Sequence, residues 1–469
     1  MLVMRSFLWR NRWLLLLATL AGWGLRAFFL KRYALIEGDS LIYGEIAKNW
    51  LQAGIFGLSE CGEIVPTLIR LPGYPMFLAV MFRLFGMEHY SAVLRAQVVI
   101  DLATCFLIAE IARRAISERA AKVAFVLAMI CPFTATYCAA PLTETISIFA
   151  TAIALLAIVC ALDESYAWRY WGLAGIAATT AILLRPDGGV LLAAILSYVA
   201  WLAFRRSSPG DRKWLFSGAT VLCVIALALL VPWTLRNWRV FHLFQPLSPR
   251  YANAPGEFVP VGFNRWMRTW CVEFISTTNF YWKVSADTAG EEVDFADIPD
   301  RAFDNTEQKR ATQEVIHDYN QSRMLTPELD QRFAQFALER IQHSRLRYYL
   351  WIPFLRVADM WLRPRTEMLN LDLDWWNFND VSESLMSLGL ALLNAFYVFW
   401  AAVLLAKRAK VRFLGLFVIF IVLRSLTLAT LENPEPRYTL ECFPAVIVLA
   451  AGGIANFRRQ GERSDHQGG

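Results

Sequence analysis

Long apolar runs separated by short basic clusters constrain this chain of 469 residues more than any other feature. Stretches such as residues 13–20, 123–130, 146–161 and 221–231, extended by their neighbours, approach the length of about 20 residues that crosses a bilayer. The chain is 57% hydrophobic and 18% charged, whereas soluble domains carry roughly 45–50% apolar and about 25% charged residues. A large soluble core would show amphipathic stripes in place of continuous runs. The pattern predicts an all-α polytopic membrane protein.

The basic clusters orient these runs in the membrane. Arg12 precedes the first run, Arg212 and Lys213 lie between two later ones, and residues 407–412 hold a third cluster. Positive charge in short loops marks the cytoplasmic side, so we expect both termini, with a tail over residues 458–469, to be cytoplasmic. A nucleic-acid binder would gather such residues on one face or in an arm.

About ten transmembrane helices follow from this orientation. They are expected near residues 12–31, 92–112, 121–140, 145–162, 168–184, 188–204, 214–233, 384–406, 413–431 and 440–457. Two shorter apolar segments, 73–86 and 345–362, contain arginine, and counting either as a span would reverse the later loops. We therefore expect both to form interfacial helices, with a further helix over about 327–343.

Four segments result from this threading. Residues 1–233 form an N-terminal transmembrane module with an outside loop over 32–91. Residues 234–383 form a large non-cytoplasmic region, much longer than an ordinary connection. Residues 384–457 supply the C-terminal transmembrane helices, and 458–469 the cytoplasmic tail.

Polar residues gather at helix ends on the side opposite the basic clusters. They lie at residues 37–40, 70–75, 142–145, 184–187, 233–237 and 432–438. Arginine suits phosphate because its guanidinium binds bidentately and stays charged. A carboxylate suits a hydroxyl that must lose its proton as it attacks. The mixture is typical of a reaction on a phosphorylated lipid headgroup whose tail remains in the bilayer.

These motifs resemble those of GT-C glycosyltransferases, in the group that contains protein O-mannosyltransferases and the lipid A aminoarabinose transferase. Residues 38–43 match the position of an acidic residue that opens the active site after the first span. Residues 70–79 resemble a proline-rich stretch before an interfacial helix, and 142–144, 231–237 and 435–438 resemble later outside motifs.

The likeness covers residues 12–237 and resumes near 343. The segment between resembles no enzyme pattern. Residues 70–72 depart from the aminoarabinose transferase, which carries a His/Lys-Pro-Pro type motif there, so the donor of that enzyme is not carried over.

The resemblance implies a GT-C type bundle whose catalytic part is the N-terminal module. It implies a polyprenyl-phosphate-sugar-dependent glycosyltransferase, a hexosyl- or pentosyltransferase that inverts the anomeric carbon. Asp39 is the expected general base, helped by Glu144. The expected phosphate-binding residues are Arg437, Arg236, Arg70 and Arg185, and the residues expected to line the donor or acceptor site are Tyr43, Tyr74, Tyr438 and Glu435.

The expected partners are a polyprenyl-phosphate-linked sugar, membrane lipids, and an acceptor that is a glycan, a lipid or a protein, with no nucleic acid. No cofactor follows from the sequence. Clustered histidines that would indicate a metal site are lacking near Asp39, although its carboxylate leaves a divalent metal open. We expect the bacterial inner membrane, with the active site facing the periplasm or exterior.

Alternative interpretations remain for the same residues. Asp39 is also a favoured helix cap, and Glu144 suits the positive end of a helix dipole. Interfacial arginines commonly reach for lipid headgroups, and residues 185–187 suit a tight turn with a local ion pair. At the level of the whole protein, the alternatives are a transporter or flippase of lipid-linked sugars, with charges near the bilayer midplane, and a non-catalytic receptor.

Two further groups of residues have open roles. Asp101 lies deep in a predicted span, where it is expected to bond to Thr104 or to another helix. Aromatic residues in the outside region suit either a sugar-stacking surface or, more commonly, membrane anchors. They are Trp266, Trp270, Tyr281 and Trp282.

Overall fold

The computed structural model describes residues 9–164, 167–205, 208–284, 290–407 and 410–465, with side chains up to Phe457. The basic tail predicted at 458–469 therefore lies outside the described side chains. The described residues fold mainly as helices with almost no sheet, which confirms the predicted all-α class. The principal helices are Arg12–Arg32, Asp39–Ala53, Gly73–Phe85, Tyr90–Ala115, Glu118–Met129, Glu144–Asp163, Trp168–Leu184, Gly189–Arg205, Pro209–Phe241, Val261–Arg268, Thr306–Ser322, Pro327–His343, Ile352–Leu362, Val381–Ala406, Leu414–Leu428 and Phe443–Asp465.

Each predicted span coincides with a helix. Among the described residues, seven helices are long and apolar enough to cross a membrane. Glu118–Met129 and Pro132–Ala139, bent by 47° against each other, make an eighth if they are counted as one span. The remaining two expected spans fall on shorter helices of 17 and 15 residues, Trp168–Leu184 and Leu414–Leu428. The chain is a multi-pass membrane protein.

The chain divides into two compact units. The first unit comprises residues 1–252, 395–423 and 440–469, and the second comprises 253–394 and 424–439. The four segments expected from the sequence follow membrane topology rather than packing, and that division stays a prediction.

The expected outside loop at 32–91 contains regular structure that the sequence did not reveal. Strands Gly57–Glu60 and Glu63–Pro66 pair antiparallel. Cys61 and Gly62 join the strands, with φ of 50° and 89°. Positive φ at both residues is typical of a two-residue hairpin turn. Four-residue strands are too short to produce a readable alternation. The helix Gly73–Phe85 follows where an interfacial helix was expected.

Basic loops of the first unit meet at one end of its helices. Arg114 lies 3.4 Å from Asp163, which also pairs with Arg412. Arg10 pairs with Glu118. These contacts bring together loops that the positive-inside rule places on one side of the membrane.

The second unit has its own aromatic core. Trp266 and Trp270 are fully buried, with ring centroids 4.9 Å from Phe333 and 6.1 Å from Phe280 respectively. They form neither a sugar-stacking surface nor a membrane anchor, because the rings of this unit pack on one another. Trp282 remains 51% exposed.

Two predicted helices of the second unit are present. Pro327–His343 begins with a side-chain cap from Thr326, which accepts a hydrogen bond from the Leu329 N–H, and with proline in the first turn. Ile352–Leu362 follows the turn Arg347–Trp351. Exposed apolar side chains typical of a helix at a membrane surface flank its start. They are Leu346, Tyr349, Leu350, Trp351 and Phe354.

Candidate active site

An aspartate–arginine pair follows the first span. Gly38 adopts φ of +54°, a conformation that glycine reaches without strain, and the helix Asp39–Ala53 begins directly after it. Gly38 rather than Asp39 thus occupies the cap position. Asp39 Oδ1 accepts a hydrogen bond of 2.7 Å from Arg70 Nη2, and the two side chains are 37% and 20% exposed. This carboxylate is reachable from outside the protein.

The proline-rich segment positions Arg70. It leads into the helix Gly73–Phe85, whose first residue approaches another helix so closely that a Cβ on Gly73 would lie 2.6 Å from Leu183 O. Glycine is therefore required for this docking. The Arg70 guanidinium also lies 5.9 Å from the centre of the Tyr43 ring.

A second charged cluster surrounds Arg185. Its Nη1 donates to Glu144 Oε1 at 2.9 Å, and its Nε lies 3.3 Å from both Asp187 Oδ1 and Glu441 Oε1. Glu144 and Glu441 are buried, and Ser147 donates to Glu441 at 2.9 Å. The expected local pair with Asp187 is present, but it belongs to a larger network. Because three carboxylates surround one guanidinium, the cluster favours a positioning role for Arg185.

Tyr43 lies between the two clusters. Burial raises the pKa of its hydroxyl to about 12, so it stays protonated. Its ring packs edge-on against Tyr74, with centroids 5.1 Å apart, and the Tyr74 hydroxyl donates to Gln97 at 2.7 Å. Four charged groups act electrostatically on Tyr43: Arg70, Asp39, Arg185 and Glu144. The structure therefore brings four predicted site residues around a fifth.

These clusters and the basic loops lie at opposite ends of one helix. Glu144 begins the helix Glu144–Asp163, and Asp163 at its other end pairs with Arg114 and Arg412. The 20 residues of this helix, at about 1.5 Å each, span about the thickness of the hydrocarbon core.

Arg236 binds backbone rather than lying open. Its guanidinium donates to Thr67 O and Phe56 O, both at 2.7 Å. The aromatic rings of Phe56, Trp233 and Phe241 lie within 5.3 Å of it. These contacts tie the hairpin segment to the helix Pro209–Phe241, and phosphate binding by Arg236 stays a prediction.

The remaining expected site residues belong to the second unit. Arg437 Nε lies 2.5 Å from Glu435 Oε2, and the Tyr438 hydroxyl donates to Glu435. Arg424 donates to Tyr438 O at 3.0 Å. The local sequence thus builds its own charge network around a buried Glu435.

Arg365 is a contributor to this network that sequence reasoning missed. It is buried, and it donates to Pro436 O at 2.7 Å and to Thr439 Oγ1 at 2.6 Å. It therefore fixes the loop that carries Glu435 and Arg437. Glu441 was missed in the same way, since neither residue carries a local signal beyond its charge. Within the described residues, no group of three His, Cys, Asp or Glu is arranged to hold a metal ion.

A family comparison covers part of the chain. The sequence model of the dolichyl-phosphate-mannose-protein mannosyltransferase family matches residues 67–235, a little over a third of the 469 residues. This match includes Arg70, Tyr74, Glu144 and Arg185. Comparison with curated protein sequences finds no significant match.

Solved structures share the fold. The oligosaccharyltransferase AglB of Archaeoglobus fulgidus, in complex with an inhibitory peptide and a dolichol-phosphate, matches 97% of this chain over 52% of its own length, with 11% identity and a TM-score of 0.51. The same organism's oligosaccharyltransferase tethered to an acceptor peptide matches 95% of this chain over 49% of its own length, with 12% identity and a TM-score of 0.50. ArnT of Cupriavidus metallidurans bound to undecaprenyl phosphate has 14% identity, with a TM-score of 0.41 over 95% of this chain and 78% of ArnT.

The chain spans about half the length of the archaeal enzymes that it matches. At these identities the likeness shows the fold, and it confirms the predicted resemblance to GT-C membrane glycosyltransferases.

Proposed function

We propose that this protein transfers a sugar from a polyprenyl-phosphate donor to an acceptor hydroxyl. The observation that carries the proposal is the pair Asp39–Arg70, in which a reachable carboxylate and an arginine lie 2.7 Å apart. A base for the acceptor and a cation for the donor phosphate thereby stand side by side. The name of the matched family and the dolichol-phosphate in the AglB structure support a lipid-linked donor.

The proposed reaction is a single displacement. Asp39 accepts the proton of the acceptor hydroxyl. At the same time the hydroxyl oxygen of the acceptor bonds to the anomeric carbon of the sugar. The bond from that carbon to the phosphate oxygen breaks, and its electron pair leaves with the lipid phosphate. Attack opposite the leaving group inverts the anomeric configuration. Arg70 stabilises the charge that develops on the phosphate. For Arg437, the same role rests only on the resemblance of its motif.

The buried cluster supports this reaction without touching the reacting atoms. Glu144 binds Arg185 and so holds the helix end beside Tyr43. We propose positioning roles for both and for Arg236, and a lining role for Tyr43 and Tyr74. Donor or acceptor contact by Glu435 and Tyr438 rests on the resemblance of their motif.

The site is proposed to face away from the cytoplasm. Positive charge at the opposite helix ends favours the cytoplasm for those ends. In a bacterium the site would face the periplasm or exterior from the inner membrane. The acceptor is then a glycan, a lipid or a protein outside the cell membrane.

The test is turnover of labelled polyprenyl-phosphate sugars by the purified full-length protein. Wild type is expected to release lipid phosphate, and Asp39→Asn to lose roughly 10²- to 10⁴-fold in rate, the usual contribution of a general base. Glu37→Gln is the matched control, because Glu37 is a neighbouring exposed carboxylate. Equal turnover by Asp39→Asn would contradict the assignment. No turnover of any donor, with equal movement of lipid by both proteins, would favour the flippase alternative.

A further inference from the structure

The helix Ile352–Leu362 in the second unit has two faces with different tasks. Arg356 on one face is buried, and it donates to Cys271 O at 2.7 Å and to Ala429 O at 2.8 Å. These bonds anchor the helix. Residues that recur at helical spacing on the other face line a cavity of about 650 Å³. They are Leu355, Ala358, Asp359 and Leu362.

The cavity combines apolar, aromatic and charged walls. Trp375 and Trp376 contribute rings at 77° to each other, and Trp376 is 46% exposed. Glu273 and Arg301 form an ion pair in the lining. A volume of this size and a mainly apolar wall with few polar groups are typical of small-ligand sites.

Two polar atoms in the lining residues lack partners. Asp359 Oδ2 and Arg363 Nη1 have no hydrogen-bond partner among the described residues. Arg363 is 8% exposed, and its Nε lies 3.6 Å from Asp359 Oδ1. Leaving a buried polar atom unsatisfied is unfavourable by about 1–3 kcal/mol. Such a pair therefore points to a ligand that satisfies both atoms.

The chemistry of this pair defines the ligand. A carboxylate oxygen accepts a hydrogen bond and a guanidinium nitrogen donates one, so adjacent hydroxyls of one molecule match both. The charges of Asp359, Arg363, Glu273 and Arg301 cancel, which favours a neutral ligand. The negative face of an indole attracts the C–H groups on the apolar side of a pyranose.

We infer that this cavity is a saccharide-binding site, in which Asp359 and Arg363 bind vicinal hydroxyls and Trp376 stacks on the sugar ring. The Trp376 ring lies 5.6 Å from the Arg363 guanidinium and covers it. Rotation of this exposed ring opens the guanidinium to the ligand. The occupant is a neutral glycan, and none of the residues expected for the transfer reaction lines the site.

The inference goes beyond the proposed function and does not depend on it, because binding is measured without donor lipid or turnover. If the protein binds an oligosaccharide but transfers no sugar, the binding site is supported and the proposed transfer reaction is contradicted.

The experiment is saturation-transfer NMR on the full-length protein in detergent. The probes are neutral gluco-, manno- and galacto-oligosaccharides, with cyclohexanol as an apolar control and inorganic phosphate as an anion. At least one oligosaccharide is expected to receive saturation, and Trp376→Ala to weaken its binding roughly tenfold. Trp282→Ala is the matched control, because Trp282 is an equally exposed tryptophan of the same unit outside the cavity.

A second variant separates binding from folding. Asp359→Ala is expected to lose binding without losing thermal stability, whereas Glu314→Ala, at an exposed carboxylate of the same unit outside the cavity, keeps binding at the wild-type level. No oligosaccharide signal in the wild type, equal signals in Trp376→Ala and Trp282→Ala, or displacement of the sugar by phosphate would overturn the inference.

Discussion

Two arginine–aspartate pairs of the first unit use the same chemistry in different surroundings. Arg26 and Asp101 are 0% and 2% exposed, and Arg26 Nε donates to Asp101 at 2.7 Å. Arg70 and Asp39 are held at the same distance, but both remain partly exposed at a helix end. The distance between the partners therefore says nothing about their role, and access decides it.

The buried pair is fully satisfied. Arg26 Nη1 also donates to Gly22 O and Met129 O, each at 2.8 Å. The pair joins the helices Arg12–Arg32 and Tyr90–Ala115 and contacts the end of a third. The transporter alternative predicts charges inside spans. A substrate cannot, however, reach a pair that is buried in this way. A structural role explains it better.

Breaking the buried pair is expected to have the largest effect. Arg26→Met leaves Asp101 as an uncompensated buried charge, which destabilises a protein by about 3–5 kcal/mol. Thermal unfolding in detergent measures the loss. The double variant Arg26→Met/Asp101→Leu is expected to recover most of it, since no charge is then left unpaired. A single variant as stable as wild type would contradict the structural role.

The pair Asp359–Arg363 in the second unit is intermediate in exposure between the buried pair and the exposed pair. Its partners lie 3.6 Å apart. Burial raises the pKa of Asp359 to about 6, above the ordinary value of about 3.9. The folded protein thus binds this proton more tightly, and stability falls as pH rises from about 4 to 6. Near neutral pH, Asp359→Asn is expected to raise the free energy of unfolding by up to about 2–3 kcal/mol. Its unfolding temperature should therefore be higher than that of the wild type.

The same variant is expected to match wild type only below about pH 3, where Asp359 is protonated in both the folded and the unfolded state. If the difference in unfolding temperature between the variant and the wild type were the same at every pH, the buried-carboxylate explanation would be refuted. A higher stability gained by removing a charged group indicates that the group is kept for binding rather than for folding.

The exposed pair is expected to matter least for stability. Arg70→Gln should lower it by less than about 1 kcal/mol, as for other exposed ion pairs. Its turnover should nevertheless fall roughly 10- to 100-fold, because the phosphate loses a positioned cation. Arg83→Gln, at an exposed arginine of the following helix, is the control. Equal losses of stability in Arg70→Gln and Arg26→Met would remove the distinction between the two pairs.

The contrast also shows what could be predicted from sequence. Apolar runs of sufficient length placed every span on a helix, because backbone groups in a bilayer must bond within the segment. Thr326 and Pro327 marked a helix start by their own capping chemistry. The motifs at Asp39, Arg70, Glu144 and Arg185 were found because each stands at a helix end.

Partners across the fold could not be predicted in this way. Asp101 was recognised as unusual, but Arg26 lies 75 residues earlier inside another apolar run. Glu441 reaches Arg185 from near the other end of the chain. Tryptophan is typical of the membrane interface, but Trp266 and Trp270 are buried in the core of the second unit. Tertiary packing decides these cases, and no periodicity reports it.

The most direct test measures turnover and thermal stability together in Asp39→Asn and Asp101→Asn. We expect opposite outcomes. Asp39→Asn keeps its unfolding temperature and loses lipid-phosphate release, whereas Asp101→Asn loses stability and keeps its turnover per folded molecule at low temperature. If Asp101→Asn abolishes turnover in a stable protein while Asp39→Asn remains active, the reaction is not at the helix end and the assignment of roles is wrong.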